Sequence, residues 1–521
     1  MDPYFFLVIA LLILAVADLV VGVSNDAVNF LNSAIGSKVA SRKTIFTIAA
    51  LGVFIGAAFS SGMMEIARKG IFNPEHFSFE DIMVIFMAVM ITDILILDLF
   101  NSLGLPTSTT VSIVFELLGA SVVTGLLVIA NNETKAGLSI FDVINYQKAT
   151  EIIIGIFVSI GVAFSIGGSV QWLSRMLFTF HIKDRIKRYG PPFAGMAISI
   201  IIFFLLVKGL KGAAFIPDSF AKEVSDNGLL IMVFTFTFAT LLTYLLQKFL
   251  NVNPLKIVVL LGTFSLAMAF AGNDLVNFIG VPITGFLSYD LWQASGLSAA
   301  EFNMSALADS VKTPGPMLYI AGLIMVLTLW FSSKAKKVTD TELKLSSQHD
   351  VAERFKPNFL SHAIVKASSK IGTAVQKVIS RRTNVYINRR FRLSPITETD
   401  KPAFDLVRAS VNLMVASVLI AFASSLKLPL STTYVSFMVA MGSSLADRAW
   451  GSGSAPHRVA GVLNVVGGWF MTAAGAFTAA GLMALLIYTG GPWVALSLFI
   501  VALIVLIRSN FPQTFYKKAK R

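Results

Sequence analysis

The chain has 521 residues, 55% apolar and only 14% charged, with a mean hydropathy of +0.75 and a net charge of +13. A soluble domain carries about a quarter charged residues, so this balance excludes one and points to an integral membrane protein with many spans. The absence of cysteine excludes disulfides and thiolate metal sites, and five scattered histidines argue against a histidine-built metal centre.

In chain order, the first span is Tyr4–Gly22, which lacks the basic leader of a cleaved signal peptide. Apolar runs near spanning length come next at Thr44–Met63, Ile82–Phe100, Ser108–Ala130, Ile152–Met176, Phe193–Val207, Leu229–Leu250 and Leu255–Ala271. After them come Met317–Phe331, Phe404–Ser424, Thr432–Leu445, Val459–Tyr488 and Trp493–Ile507. The reading is an all-α polytopic protein of about 12–13 transmembrane helices, the shorter runs being candidates for re-entrant segments. Its parts are a first repeat at 1–210, a connecting span at 211–250, and a second repeat at 251–333 and 404–521, interrupted by an insert at 334–403.

Charge sets the expected orientation. The segment Lys334–Lys401 holds fifteen Lys/Arg against six Asp/Glu. With alternating spans, this segment falls on the same side as Lys183–Arg188, Lys248, Lys256 and the basic tail Lys517–Arg521. That side is read as cytoplasmic, with the N-terminus outside and the C-terminus inside, in a bacterial inner membrane. Positive charge distributed in this way obeys the positive-inside rule, and nucleic-acid binding is set aside. Within the insert, Ile364, Val365, Ile371, Val375, Val378 and Ile379 fall near helical spacing among lysines. Two readings stand level: a helix lying on anionic lipid, or one docked on the protein's own cytoplasmic face.

Two polar motifs each occur twice, in the same order. Asn25-Asp26-Ala27-Val28-Asn29-Phe30 returns as Asn273-Asp274-Leu275-Val276-Asn277-Phe278. Leu105-Pro106-Thr107-Ser108-Thr109-Thr110 returns as Leu428-Pro429-Leu430-Ser431-Thr432-Thr433. Asp26 lies 82 residues before Ser108 and Asp274 lies 157 before Ser431; the excess of 75 is close to the length of the insert. The spans that lead into the Asn-Asp motifs are the first and the eighth, so the copies enter from opposite sides. That predicts an inverted-topology repeat with broken or re-entrant helices at the midplane.

A carboxylate at membrane depth is costly unless it has a partner or faces a cavity. No Lys or Arg adjoins Asp26 or Asp274, and Asp and Asn oxygens suit a hard cation such as Na⁺. The competing reading is a helix N-cap, a role Asn and Asp fill well. Pro106 and Pro429 each break a helix, and the residues after each proline are placed to begin a new one. Ser108, Thr109, Thr110, Ser431, Thr432 and Thr433 then offer hydroxyls beside free backbone N–H groups, an anion site without a basic residue. Ordinary capping or hydroxyl back-bonding is the alternative there. Together the four motifs suggest symport of an oxyanion with cations, the cation cancelling repulsion between the anion and the two aspartates. Asp18, Asp93, Asp98 and Glu116 are further acids that could line a cation path.

At these residues the chain resembles the inorganic phosphate transporter family, PiT, whose halves each carry Gly-Ala-Asn-Asp-x-x-Asn. The resemblance implies phosphate import coupled to Na⁺, or to H⁺ in some relatives. It implies that Asp26, Asn29, Asp274 and Asn277 serve cations, that the six Ser and Thr residues serve phosphate, and that Asn25 and Asn273 assist either. Ser24 adds a residue ahead of Asn25, and Val111 and Tyr434 stand where many members carry His. Relatives carry sulfate, so a sulfate or other oxyanion permease is the alternative substrate reading. An aspartate-dyad hydrolase and a passive anion channel are the readings from other classes. The expected partners are phosphate, Na⁺ and membrane lipid, with no cofactor beyond the coupling ion and a homodimer left open.

Overall fold

The computed structural model describes residues 2–60, 70–103, 107–135, 137–208, 218–308, 314–332, 343, 356–392, 402–449 and 455–510. Leu105 and Pro106, most of the insert and the basic tail lie outside them. The described residues form helices, with two isolated β-bridges and no strand. Fifteen helices organise the fold: α1 (Pro3–Asp26), α2 (Val28–Gly36), α3 (Arg42–Ala58), α4 (Phe79–Leu103), α5 (Thr109–Asn131), α6 (Tyr146–Phe178), α7 (Ile182–Phe203), α8 (Gly228–Leu250), α9 (Pro254–Ser295), α10 (Gly315–Phe331), α11 (Phe359–Val378), α12 (Arg381–Arg390), α13 (Leu406–Ser425), α14 (Thr432–Ala446) and α15 (Ala455–Asn510). Among the described residues, nine helical stretches have the length and hydropathy of a membrane span. The last two expected spans are the arms of α15, which bends at Gly491, where φ is +72° and a side chain would be strained.

The helices that carry the Asn-Asp motifs run antiparallel. Tyr4 at the start of α1 packs against Trp292 near the end of α9, with ring centroids 5.3 Å apart, and Asp2 accepts from the Tyr289 hydroxyl at 3.1 Å. At the other end of this pair, Phe30 of α2 meets Phe270 of α9 at 5.2 Å. The bundle therefore has a Tyr4 face and an opposite face.

Four of the apolar runs form two helical hairpins whose bases lie at opposite faces of the bundle and whose tips are buried inside it. The base of α4–α5 lies at the Tyr4 face, where Phe79 stacks on Trp292 at 4.6 Å and the Phe79 N–H donates to the Phe302 carbonyl at 2.9 Å. The base of α13–α14 lies at the far face, where Arg175 of α6 ties its two ends together. Arg175 Nη1 donates to Asp405, the N-cap of α13, at 2.7 Å. Its Nη2 donates to Asp447, the C-cap residue of α14, also at 2.7 Å. Asp405 is held below the ordinary carboxylate range: burial pushes it up, and the Arg175 guanidinium more than offsets this.

The returning arms pack closely for a shared reason. Gly119 in α5 is eleven residues past Ser108, and Gly442 in α14 is eleven past Ser431. A Cβ at Gly119 would lie 2.1 Å from the Phe477 carbonyl oxygen of α15, and one at Gly442 would lie 2.1 Å from the Phe164 carbonyl oxygen of α6. Only glycine lets the backbones approach this far, the usual device of helix contacts in lipid. The insert helix α11 does dock, along α15, while leaving Phe359, Leu360 and Ile364 exposed.

Gly119→Ala and Gly442→Ala should each destabilise the protein by about 1–3 kcal/mol through overpacking. Gly161→Ala, where the added methyl meets open space, should leave stability unchanged or raise it. Melting temperatures of the three variants in detergent check this.

Candidate anion and cation site

The two hairpin tips meet at the two Asn-Asp motifs, and the twelve motif residues expected at the site are brought together. None is more than 4% exposed. Asp26 is the last residue of α1; Ala27 keeps right-handed helical angles, and no side chain caps α2. Asp274 lies in the middle of α9. The N-cap reading of the aspartates therefore fails: they project from nearly continuous helices and must find side-chain partners.

Those partners are threonine hydroxyls, one from each hairpin for each carboxylate. Asp26 accepts from Thr109 and from Thr433, both at 3.0 Å. Asp274 accepts from Thr110 at 3.2 Å and from Thr432. Asn29 Nδ2 reaches Thr433 at 3.0 Å and Thr432 at 3.3 Å, while Asn277 Nδ2 reaches Thr110 at 3.0 Å and Thr109 at 3.4 Å. Exchanging the motif copies maps each of these bonds onto another. Among the described residues no basic side chain takes part. The buried arginines Arg175 and Arg408 stand at the α13–α14 base with Asp405 and Asp447.

Ser108 and Ser431 differ from the threonines. Each is the N-cap of its helix, its Oγ accepting from the Val111 N–H or the Tyr434 N–H at 3.1 Å. The capping alternative thus holds for the two serines, whose own hydroxyl protons remain available, and fails for the four threonines. Asn25 and Asn273 hold the tips. Asn25 Oδ1 accepts from the Thr107 N–H at 3.2 Å. Asn273 Nδ2 donates to the Leu430 carbonyl at 2.8 Å and to Asp274 at 2.6 Å. Ser24 faces elsewhere, accepting from Ser332 at 2.7 Å. Tyr434 stacks on Trp469 with centroids 3.8 Å apart.

Two supporting residues were missed from the sequence. Asn101 accepts from Asn25 Nδ2 at 2.7 Å and donates to the Val21 carbonyl at 2.8 Å. Ser424 donates to Asn273 Oδ1 at 3.2 Å. Asn101 is seven residues before Ser108 and Ser424 is seven before Ser431, an offset that comparing the copies would have exposed. Of the other acids, Glu116 accepts from Ser112 at 2.7 Å, and the carboxylate oxygens of buried Asp18 and Asp93 have no hydrogen-bond donor among the described residues.

The described residues thus form an all-helical bundle, with helices long and apolar enough to span a membrane and a buried polar centre at two hairpin tips. A profile of the phosphate transporter family matches residues 22–375, and the chain belongs to that family. It is 24% identical over 366 residues to a Pyrococcus furiosus protein named as a phosphate permease, covering 68% of this chain and 79% of the relative. A Thermococcus kodakarensis protein of the same name type is 23% identical over 363 residues, covering 68% and 80%. Among solved structures, one described as the sodium-dependent phosphate transporter shares the fold, with a TM-score of 0.64 and 17% identity over 93% of this chain and 99% of that one.

Thr109→Val and Thr432→Val each remove a hydroxyl shared by a carboxylate and an asparagine. Each should cost about 1–3 kcal/mol, the penalty of a buried acceptor left short of a donor. Thermal unfolding in detergent should show similar losses for the two; a large loss in only one would contradict the equivalence of the copies.

Proposed function

We propose that the chain imports inorganic phosphate by symport with Na⁺, alternating access around the hairpin-tip site. The observation that carries this reading is the sharing of four threonine hydroxyls by two carboxylates. A hydroxyl has one proton to donate. Phosphate binding at the tips of α5 and α14 would draw those protons, with the free N–H groups of the helix ends, away from Asp26 and Asp274. The carboxylates then need a new partner, and a hard cation held by Asp26 with Asn29, and by Asp274 with Asn277, supplies it. Cation and anion each create the vacancy the other fills, which makes the coupling reciprocal.

The antiparallel α1 and α9, the hairpins from opposite faces and the exchange symmetry of the site support an inverted repeat of residues 1–210 and 251–521, the second half carrying the 334–403 insert. Rocking these halves would open the buried site to one face and then the other. The Arg175 face, with Arg185, Arg188 and the arginines of α12, fits the cytoplasm by the positive-inside rule, which sets the N-terminus outside. Asp18, Asp93 and Glu116, on the first half only, suit the approach of a cation. The name of the structural neighbour favours Na⁺ over H⁺ and phosphate over sulfate.

Uptake of labelled phosphate into proteoliposomes tests this. An inward Na⁺ gradient should drive uptake, excess sulfate should not compete, and Asp26→Asn or Asp274→Asn should reduce the Na⁺-driven rate to the protein-free background. Uptake driven by a proton gradient alone would discard Na⁺. Sulfate outcompeting phosphate would discard the substrate.

A further inference from the structure

A second polar feature lies at the Arg175 face and owes nothing to the repeated motifs. A cavity of about 760 Å³ opens between the α6–α7 turn and the insert helix α12. His181 lines it from the turn and Arg185 and Arg188 from the start of α7, and Arg389, Arg390 and Arg392 line it from the insert. Among the described residues no carboxylate lines it, and none of the five arginines is in an ion pair. Arg390 Nη2 donates to the Tyr386 hydroxyl at 2.6 Å, and its buried Nη1 has no hydrogen-bond partner among the described residues.

The walls are fixed from behind. Arg448, just past α14, lies over the Phe391 ring at 4.8 Å and donates to Asn388 of α12 at 2.8 Å. Thr179, another wall residue, gives its carbonyl to Arg175 Nη1 at 3.0 Å. Five guanidinium groups around one hollow repel one another, and the field they make favours a multiply charged anion. Arginine rather than lysine fills all five positions, and the guanidinium fork matches phosphate oxygens two at a time. The volume falls in the range of small-ligand sites.

We propose that this cavity binds a phosphate-bearing polyanion, held by Arg185 and Arg188 on one wall and by Arg389, Arg390 and Arg392 on the other, and that the bound group fastens the insert to the bundle. The site is separate from the hairpin tips and does not depend on how they are read. A soluble phosphate chain and the headgroup of an acidic lipid share the required chemistry.

Hydrogen–deuterium exchange of amides 381–392 in the full-length protein distinguishes the two sources. One arm adds inorganic pyrophosphate to protein in detergent. The other compares phosphatidylglycerol with phosphatidylcholine nanodiscs, without added phosphate. Saturation in either arm should slow exchange roughly tenfold or more, as expected of a ligand at about ten times its Kd. Protection in the first arm identifies a soluble anion, and protection in the second a lipid headgroup. The Arg389→Gln/Arg390→Gln/Arg392→Gln variant should lose the protection. So should Arg185→Gln/Arg188→Gln, which leaves α12 untouched and covers the case in which the triple variant does not fold. Unchanged exchange in both arms, or protection that survives in Arg185→Gln/Arg188→Gln, would overturn the proposal. Exchange in 432–446 should stay constant, separating this site from the hairpin tips.

Discussion

Two carboxylates buried in a membrane protein, with no basic side chain beside them, constrain everything else in this structure. An unpartnered carboxylate in hydrocarbon costs several kcal/mol, so Asp26 and Asp274 must be met by donors wherever the chain can bring them. Four threonines are the donors common to both, each aspartate drawing one from each hairpin, and Asn273 gives Asp274 a further bond. Neither hairpin can complete the site alone. Helices α1 and α9 must cross antiparallel, and the hairpins must enter from opposite faces, for this exchange of hydroxyls to close.

The bases of the hairpins are held by different chemistry. Aromatic stacking around Phe79 and Trp292 secures α4–α5, whereas the ion-paired cluster of Arg175, Asp405 and Asp447 secures α13–α14. Arg408 joins it, 3.6 Å from Asp447 and over the Phe404 ring at 4.9 Å. Breaking a buried ion pair by removing one partner typically costs about 3–5 kcal/mol, so this end of α14 is pinned while its other end carries Ser431 and the threonines. α14 therefore links the hairpin tip to the face where the insert docks through Arg448. About 22 Å of helix separates the two.

Much of this was legible in the sequence because duplication writes itself twice. The paired Asn-Asp and Ser-Thr-Thr motifs, their spacing and the position of the insert needed only one copy laid against the other. The prolines and serines announced new helices, and Ser108 and Ser431 begin them as caps. Hydropathy could not reveal how deep a helix goes, because α4, α5 and α13 are as apolar as crossing helices while ending inside. Asn101 and Ser424 escaped notice because a lone polar residue at a helix end has many uses. The Arg175 cluster escaped because its members lie 230 and 272 residues apart in the chain, and only the fold brings them together. The arginine-lined cavity is of the same kind, its two walls coming from segments that share no motif.

The central claim is that anion and cation together complete one hydrogen-bond cluster at the hairpin tips, the anion taking threonine protons from the carboxylates and the cation replacing them. Calorimetric titration of phosphate into the purified protein, in Na⁺ and then in an equal concentration of choline, tests it most directly. The account predicts that Na⁺ tightens phosphate binding at least roughly tenfold and that phosphate tightens Na⁺ binding by the same factor, as linkage requires. Phosphate affinity that is the same with and without Na⁺ would contradict it, because the two carboxylates would then need no new partner when the threonines turn to the anion.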